Sequence, residues 1–263
     1  MSQFSVKYGG WAVVAGASEG MGAQFAKQLA RRGLNVVLIA RRGELIEALA
    51  ASIAAECKVQ TKALVVDLSL PDAAAKVIAG VEGLECGLLV YNAALSPIGR
   101  FVDQTLEENL RALEVNVRTP TALAHHFAKA FAAQGHGGII LLSSLTAFQG
   151  SPYVATYGAT KSYNLALAEG LWFELKGTGV DVLAMCAGAT RTPNFLKAAP
   201  QGAPGMLEPE VVVTEAIDAL GRGPFTIPGI FNRIASFLMR RFLPRTTTIS
   251  IMGDQTRKLQ LKP

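Results

Sequence analysis

Charge is scarce in this sequence, and so are cysteine and histidine. Only 17% of the residues are Asp, Glu, Lys or Arg against 50% hydrophobic, which excludes a disordered polyelectrolyte and leaves ample apolar material for a core. The three cysteines, Cys57, Cys86 and Cys186, are odd in number, far apart and set in apolar surroundings. That excludes a disulfide framework and points to reduced thiols. His125, His126 and His136 lack ligand spacing, so no metal is expected. No apolar run approaches a membrane span, and Lys7 with the turn-like Gly9-Gly10 precedes a run too short for a signal-peptide core; a cytoplasmic protein is expected. Repeats and low-complexity segments are missing too. The net charge of +5 is uneven: residues 222–263 hold eight Lys or Arg against Asp254 alone, which is +7, so residues 1–221 come to −2. The basic character belongs to a tail, not to a nucleic-acid-binding face, and no nucleic-acid partner is expected.

What is present is an alternation. Short runs rich in β-branched residues, Trp11 to Ala15, Asn35 to Ala40, Ala63 to Val66, Gly87 to Tyr91, Gly138 to Leu142, Val180 to Met185 and, weakly, Pro224 to Ile227, are predicted strands. Helical patterns fall near residues 20–32, 44–56, 72–81, 105–134 and 155–176. Such alternation predicts an α/β fold with a parallel sheet of about seven strands, doubly wound and covered on both faces. "GGIILLSS" has the unbroken apolar character of a central strand. "KAAPQGAPGMLEPE", residues 197–210, with three prolines, reads as an irregular loop, and one domain over 1–263 is expected.

The first strand runs into "AGASEGMG", where Gly16, Gly20 and Gly22 open a helix. Free amides and the positive end of a helix dipole suit a pyrophosphate, and the missing β-carbons allow close approach. The spacing is G-x-x-x-G-x-G rather than the commoner dinucleotide fingerprint. Where an NAD site would offer a carboxylate, the second strand is followed by Arg41 and Arg42; two guanidiniums suit a ribose 2′-phosphate, and NADP(H) is the expected cofactor. Asp67 ends the third strand, placed either to accept a hydrogen bond from adenine or to cap a helix.

Tyr157 and Lys161 stand four apart and share a helix face, and Lys161 is the only lysine between Lys129 and Lys176. A nearby ammonium, together with the positive nicotinamide ring of an oxidised cofactor, favours a phenolate, which can exchange a proton with a carbonyl or alcohol oxygen. Ser144, thirteen residues before Tyr157, closes the fifth strand at the edge where ligands bind.

With these residues in hand, residues 8–228 resemble the short-chain dehydrogenase/reductase family, in the glycine turn, the Asn-Ala stretch after the fourth strand, and the Ser, Tyr-x-x-x-Lys set. The resemblance implies a Rossmann-type fold with Tyr157 as general acid/base, Ser144 as the carbonyl-orienting donor, and Lys161 holding the nicotinamide ribose. It implies that Asn116, in "EVNVR", supports a water-linked proton path. Ser18, Met21, Leu68, Asn92, Ala93, Gly188, Thr190 and Thr192 join the cofactor contacts by the same token. Three departures stand out: "YNAA" at Tyr91 to Ala94 lacks the usual last glycine, Ala187-Gly188 replaces a Pro-Gly pair, and Glu19 sits where some NADP-dependent members are basic.

Phe148, Tyr153, Phe195 and Leu196, with Met206 and Leu207 in a possible lid, imply an apolar pocket for a lipophilic ketone or secondary alcohol. "KYGGWAVVAGASEGMG", "GLNVVLIARR" and "GTGVDV" resemble bacterial hydroxysteroid dehydrogenases, including the 7β type. Relatives form dimers or tetramers through the helices at 105–134 and 155–176, so a homo-oligomer is implied. In "IFNRIASFLMRRF", Ile230, Phe231, Ile234, Phe237, Leu238 and Phe242 form one stripe opposite Asn232, Arg233, Ser236 and Arg240. Packing of that stripe on its own domain or a neighbouring subunit is favoured over an anionic membrane surface. The competing reading, a non-catalytic NADP-binding regulatory protein or membrane-tethered scaffold, predicts a lost catalytic residue, and none is lost.

Overall fold

The computed structural model describes residues 3–260. β1 (Trp11–Ala15), β2 (Asn35–Ala40), β3 (Thr61–Val65), β4 (Cys86–Tyr91), β5 (Gly137–Ser144), β6 (Val180–Ala187) and β7 (Phe225–Thr226) form one parallel sheet in the order β3-β2-β1-β4-β5-β6-β7. The order reverses between β1 and β4, which opens a crevice at the strands' carboxyl ends.

Both sheet faces are dry because successive side chains of each central strand point to opposite layers. On one face Val14, Val36, Leu38 and Ile140 pack with α2 (Gly20–Arg31), α3 (Gly43–Cys57) and α9 (Pro209–Ala219). On the other, Val13, Val37, Ile39 and Leu141 meet α4 (Ala73–Gly80), α6 (Thr119–Gln134) and α7 (Ala155–Glu174). β5 owes its central place to being apolar on both faces and pairs along its whole length with β6. A short first helix, α1 (Gln3–Tyr8), closes the opposite end, where the Tyr8 hydroxyl and Lys7 both reach Asp181.

Several expectations change. The pattern over 105–134 is interrupted: α5 (Leu106–Leu113), started by a reciprocal Thr105–Glu108 capping box, passes through a π turn at Glu114–Arg118 before α6 begins. The loop 197–210 is irregular as read, but α8 (Pro193–Ala198) precedes it and α9 begins at Pro209. The tail forms α10 (Ile230–Phe242) and α11 (Arg245–Gln260). The expected packing of the apolar stripe on its own domain is not found. Asn232 and Ser236 are 4% and 3% exposed, whereas Ile230, Phe237 and Phe242 are 67%, 61% and 67% exposed. The polar face is held inward because Asn232 Nδ2 donates to the carbonyls of Gly205 and Pro228.

Candidate active site

The glycine turn lies at the crevice. Gly16 and Gly20 have φ of +82° and +57°, conformations that favour glycine, and the amides of Gly16 and Ala17 are tied to Ile39 O. Across the crevice, Asn92 Nδ2 donates to Gly16 O at 2.8 Å, and the Asn92 and Ala93 amides bond Ala15 O. A Cβ on Gly16 would stand 2.7 Å from Ala93 backbone atoms, and one on Gly20 would stand 2.9 Å from the Thr192 methyl. Five of the expected cofactor positions, Gly16, Gly20, Asn92, Ala93 and Thr192, therefore meet where α2 presents its free N-terminal amides, with Met21 in its first turn.

At the end of β2, Arg42 Nη2 donates to Ser18 Oγ at 2.9 Å and pairs with Glu19 Oε2 at 3.0 Å. Arg41 is exposed. Two guanidiniums and a hydroxyl fit a 2′-phosphate, and among the described residues Glu19 is the one carboxylate bonded to that set. Asp67 caps no helix: its Oδ1 accepts from the Ser69 amide and hydroxyl, while Arg111 stands 3.6 Å from Oδ2. Burial works to raise the Asp67 carboxyl, but the Ser69 hydrogen bonds, Arg41 and Arg111 hold it below the usual range. Leu68 is buried, its carbonyl taken by the Thr119 hydroxyl. On the far side, Thr190 is buried with its hydroxyl on Gly188 O, and Thr192 caps α8 through Phe195 N. Gly188 lies so near Asn232 that a Cβ would be 2.8 Å from its amide nitrogen.

Ser144 ends β5 and Tyr157 stands in the first turn of α7, within hydrogen-bonding reach of the Ser144 hydroxyl. The preceding Ser143 is spent on structure, its hydroxyl donating to Lys161 O at 2.7 Å, which fastens α7 to β5. Lys161 is 2% exposed; its Nζ donates to Leu142 O at 2.8 Å and lies 5.4 Å from the centre of the Tyr157 ring. Desolvation pulls the ammonium down to about 8. Burial raises the Tyr157 phenol above its ordinary range, the Ser144 hydrogen bond opposing. The ammonium itself is turned to a strand carbonyl, and burial is the largest influence on the phenol.

Asn116 is wholly buried in the π turn. Its Oδ1 accepts from Leu95 N, and its Nδ2 donates to Leu95 O and to Thr160 Oγ1. A π turn at such a place is a common mark of a functional site. Thr160, which the sequence reading did not name, donates to Tyr157 O at 2.7 Å and so links Asn116 to the tyrosine's own turn. Its position next to Lys161 and three after Tyr157 was the available signal. Tyr91 is 1% exposed, and its hydroxyl donates to Val115 O within the π turn.

The expected substrate residues divide. Tyr153 has φ +64°, rare for a non-glycine, and its carbonyl accepts from Gly99 N. Phe195 and Leu196 lie half-buried on α8. Phe148 is engaged elsewhere, edge-on to Phe225 with Arg240 over its ring at 4.1 Å. Tyr163, also on α7, is 38% exposed and shares a hydrogen bond with Thr121.

A dinucleotide cradle facing a Ser, Tyr and Lys group at the switch point of a parallel sheet defines a nucleotide-dependent oxidoreductase. The family model for short chain dehydrogenase matches residues 10–201, and the chain belongs to that family; it interconverts an alcohol and a carbonyl. It is 39% identical over 233 residues to a 7β-hydroxysteroid dehydrogenase of Collinsella aerofaciens, covering 86% of this chain and 89% of that protein. A solved structure from a study of 7β-hydroxysteroid dehydrogenase stereoselectivity superimposes with a TM-score of 0.90 at 36% identity, over 95% of this chain and 98% of the other. A short-chain dehydrogenase from Sphingobium yanoikuyae in complex with NADPH gives 0.77 at 31% identity, over 97% and 96%.

Proposed function

We propose that this protein is an NADP(H)-dependent dehydrogenase/reductase acting on a hydroxyl or ketone of a steroid-like, lipophilic substrate. The observation that carries the reading is the convergence of Asn116, Ser144, Tyr157 and Lys161 beside the glycine turn. NADP(H), when bound, supplies or accepts the hydride. Gly16, Gly20, Gly22 and Asn92 shape the floor under its pyrophosphate, and Arg41, Arg42 and Ser18 hold its 2′-phosphate. Ser144 donates to the substrate oxygen and orients it. Tyr157 gives that oxygen a proton in reduction and takes one in oxidation. The Lys161 charge eases each change of the phenol's ionisation. Asn116 and Thr160 are positioning residues, fixing the first turn of α7 against the loop at Leu95. Tyr153, Phe195 and Leu196 offer the apolar walls that a steroid ring system needs.

The family of relatives supports the substrate class, and the test is direct: NADPH oxidation with a steroid carrying a ketone at carbon 7, run against acyl ketones and small aldehydes, with NADH in parallel. Turnover of the steroid with NADPH, at least tenfold above NADH, is expected because NADH lacks the 2′-phosphate that Arg41 and Arg42 would pair with; equal use of NADH would sink the 2′-phosphate assignment. Because Glu19 neutralises Arg42, the Glu19→Gln variant is expected to bind NADPH about fivefold more tightly and NADH no differently, as read by nucleotide fluorescence titration. Tighter binding of both nucleotides equally would mean that Glu19 acts elsewhere.

Two copies pairing through α6 and α7 completes the reading. Along α6 runs an open groove lined by Val117, Thr121, His125 and Lys129, with Tyr163 of α7 at its edge, consistent with a homodimer or homotetramer.

A further inference from the structure

We propose that α10 seats the protein on an anionic phospholipid surface. Six large apolar side chains line its outer face: Ile230, Phe231, Ile234, Phe237, Leu238 and Phe242, each 48% to 67% exposed. A contiguous patch of this kind calls for an apolar partner. The helix cannot roll to bury it. Asn232, on the inner face, is bonded to two carbonyls and lies so close to Gly188 and Gly205 that a Cβ on either would stand 2.8 Å or 2.4 Å from its amide. Rolling would strand that amide and drive phenyl rings into the same gap.

Charge decides which partner. Arg241 lies within the apolar stripe, seven residues after Ile234, four after Phe237 and three after Leu238, and pairs with no carboxylate among the described residues. Arg245 follows, its side chain bonded, among the described residues, only to Phe148 O. Glu215 on α9 is taken by Arg233, and Asp254 on α11 by Arg257. A second copy docking this stripe on itself about a two-fold axis would press Arg241 toward its own equivalent, whereas phosphate headgroups supply the missing counter-charge. With 13 residues, α10 is about 20 Å long, too short to cross a bilayer and long enough to lie in its interface. No described helix is long and apolar enough to cross a membrane.

Co-sedimentation of the full chain with vesicles of phosphatidylcholine and phosphatidylglycerol tests this. Binding is expected at low salt, lost with pure phosphatidylcholine and weakened as salt rises. The Ile234→Ser/Phe237→Ser variant should lose roughly tenfold or more in partitioning, and Arg241→Glu roughly thirtyfold. Thermal midpoints should match the parent's, because these side chains are exposed. Failure of the parent to sediment with the anionic vesicles overturns the proposal, as does parent-like binding by both variants. So does a dimer, seen by light scattering, that the double variant splits while vesicles hold neither form; the stripe would then be an interface between copies. None of these outcomes depends on the substrate or on turnover.

Discussion

Tyr157→Phe is expected to cut steroid-ketone turnover by about a thousandfold while NADPH binding and the thermal midpoint stay near those of the parent. The substitution removes only the phenolic oxygen. Helix α7 is anchored by Ser143 to Lys161 O and by Ser162 to Ala147 O, and neither bond uses that oxygen. The ring itself still fits its place. Retention of a tenth or more of the activity would show that another group delivers the proton. Direction and pH follow from the same burial. Raised above its ordinary range, the Tyr157 phenol is protonated at neutral pH, the form that donates to a carbonyl. Lys161, held at about 8, is charged below that pH and neutral above it. kcat/KM for reduction is therefore expected to be flat up to about pH 8 and to fall beyond it, while oxidation, which needs the phenolate, rises with pH. A reduction rate that climbs through pH 8 would contradict both assignments.

Gly22→Ala is expected to abolish measurable NADPH binding and lower the thermal midpoint. A methyl group there would stand 1.9 Å from Gly16 O and 2.7 Å from Asn92 Nδ2. Neither neighbour can retreat. Gly16 O is the acceptor of the Asn92 bond that spans the crevice, and the Gly16 amide is fixed to Ile39 O. The methyl must push the start of α2 off β1, costing about 1–3 kcal/mol or more and displacing the amides that face the pyrophosphate. The matched control is Gly170→Ala: Gly170 lies inside α7 with nothing within 4 Å of an added Cβ, so about 0.5–1 kcal/mol of stabilisation is expected. Nucleotide fluorescence titration and thermal unfolding of both variants make the comparison. Parent-like nucleotide affinity in Gly22→Ala would show that the turn yields.

Most of the sheet was legible. β1 and β2 fall where their apolar runs begin and end, and the remaining strands lie within two residues of their runs, because continuous apolar stretches bounded by turn residues are a strong signal. The α10 boundaries were legible for the same reason, from the period of its stripe. The π turn was not, since it comes from Asn116 reaching Leu95, a partner distant in sequence, and not from local propensity. α1 and α11 carry too little periodicity to be read.

By itself the sequence determined the alternation of strand and helix, the glycine turn before the first helix, and the Ser, Tyr and Lys spacing. These are local: each depends on side-chain period or on residues one turn apart. Tertiary structure alone decided that Phe148 is packed under Arg240, that Glu19 bonds Arg42, that burial raises Tyr157, and that the apolar side of α10 faces out. An amphipathic helix has two faces, and its pattern cannot say which is inward. Here that is set by one buried amide, Asn232, with carbonyl partners at Pro228 and, 27 residues before it, Gly205: a polar group shut off from water must keep its hydrogen bonds, whereas exposed apolar side chains can wait for a partner.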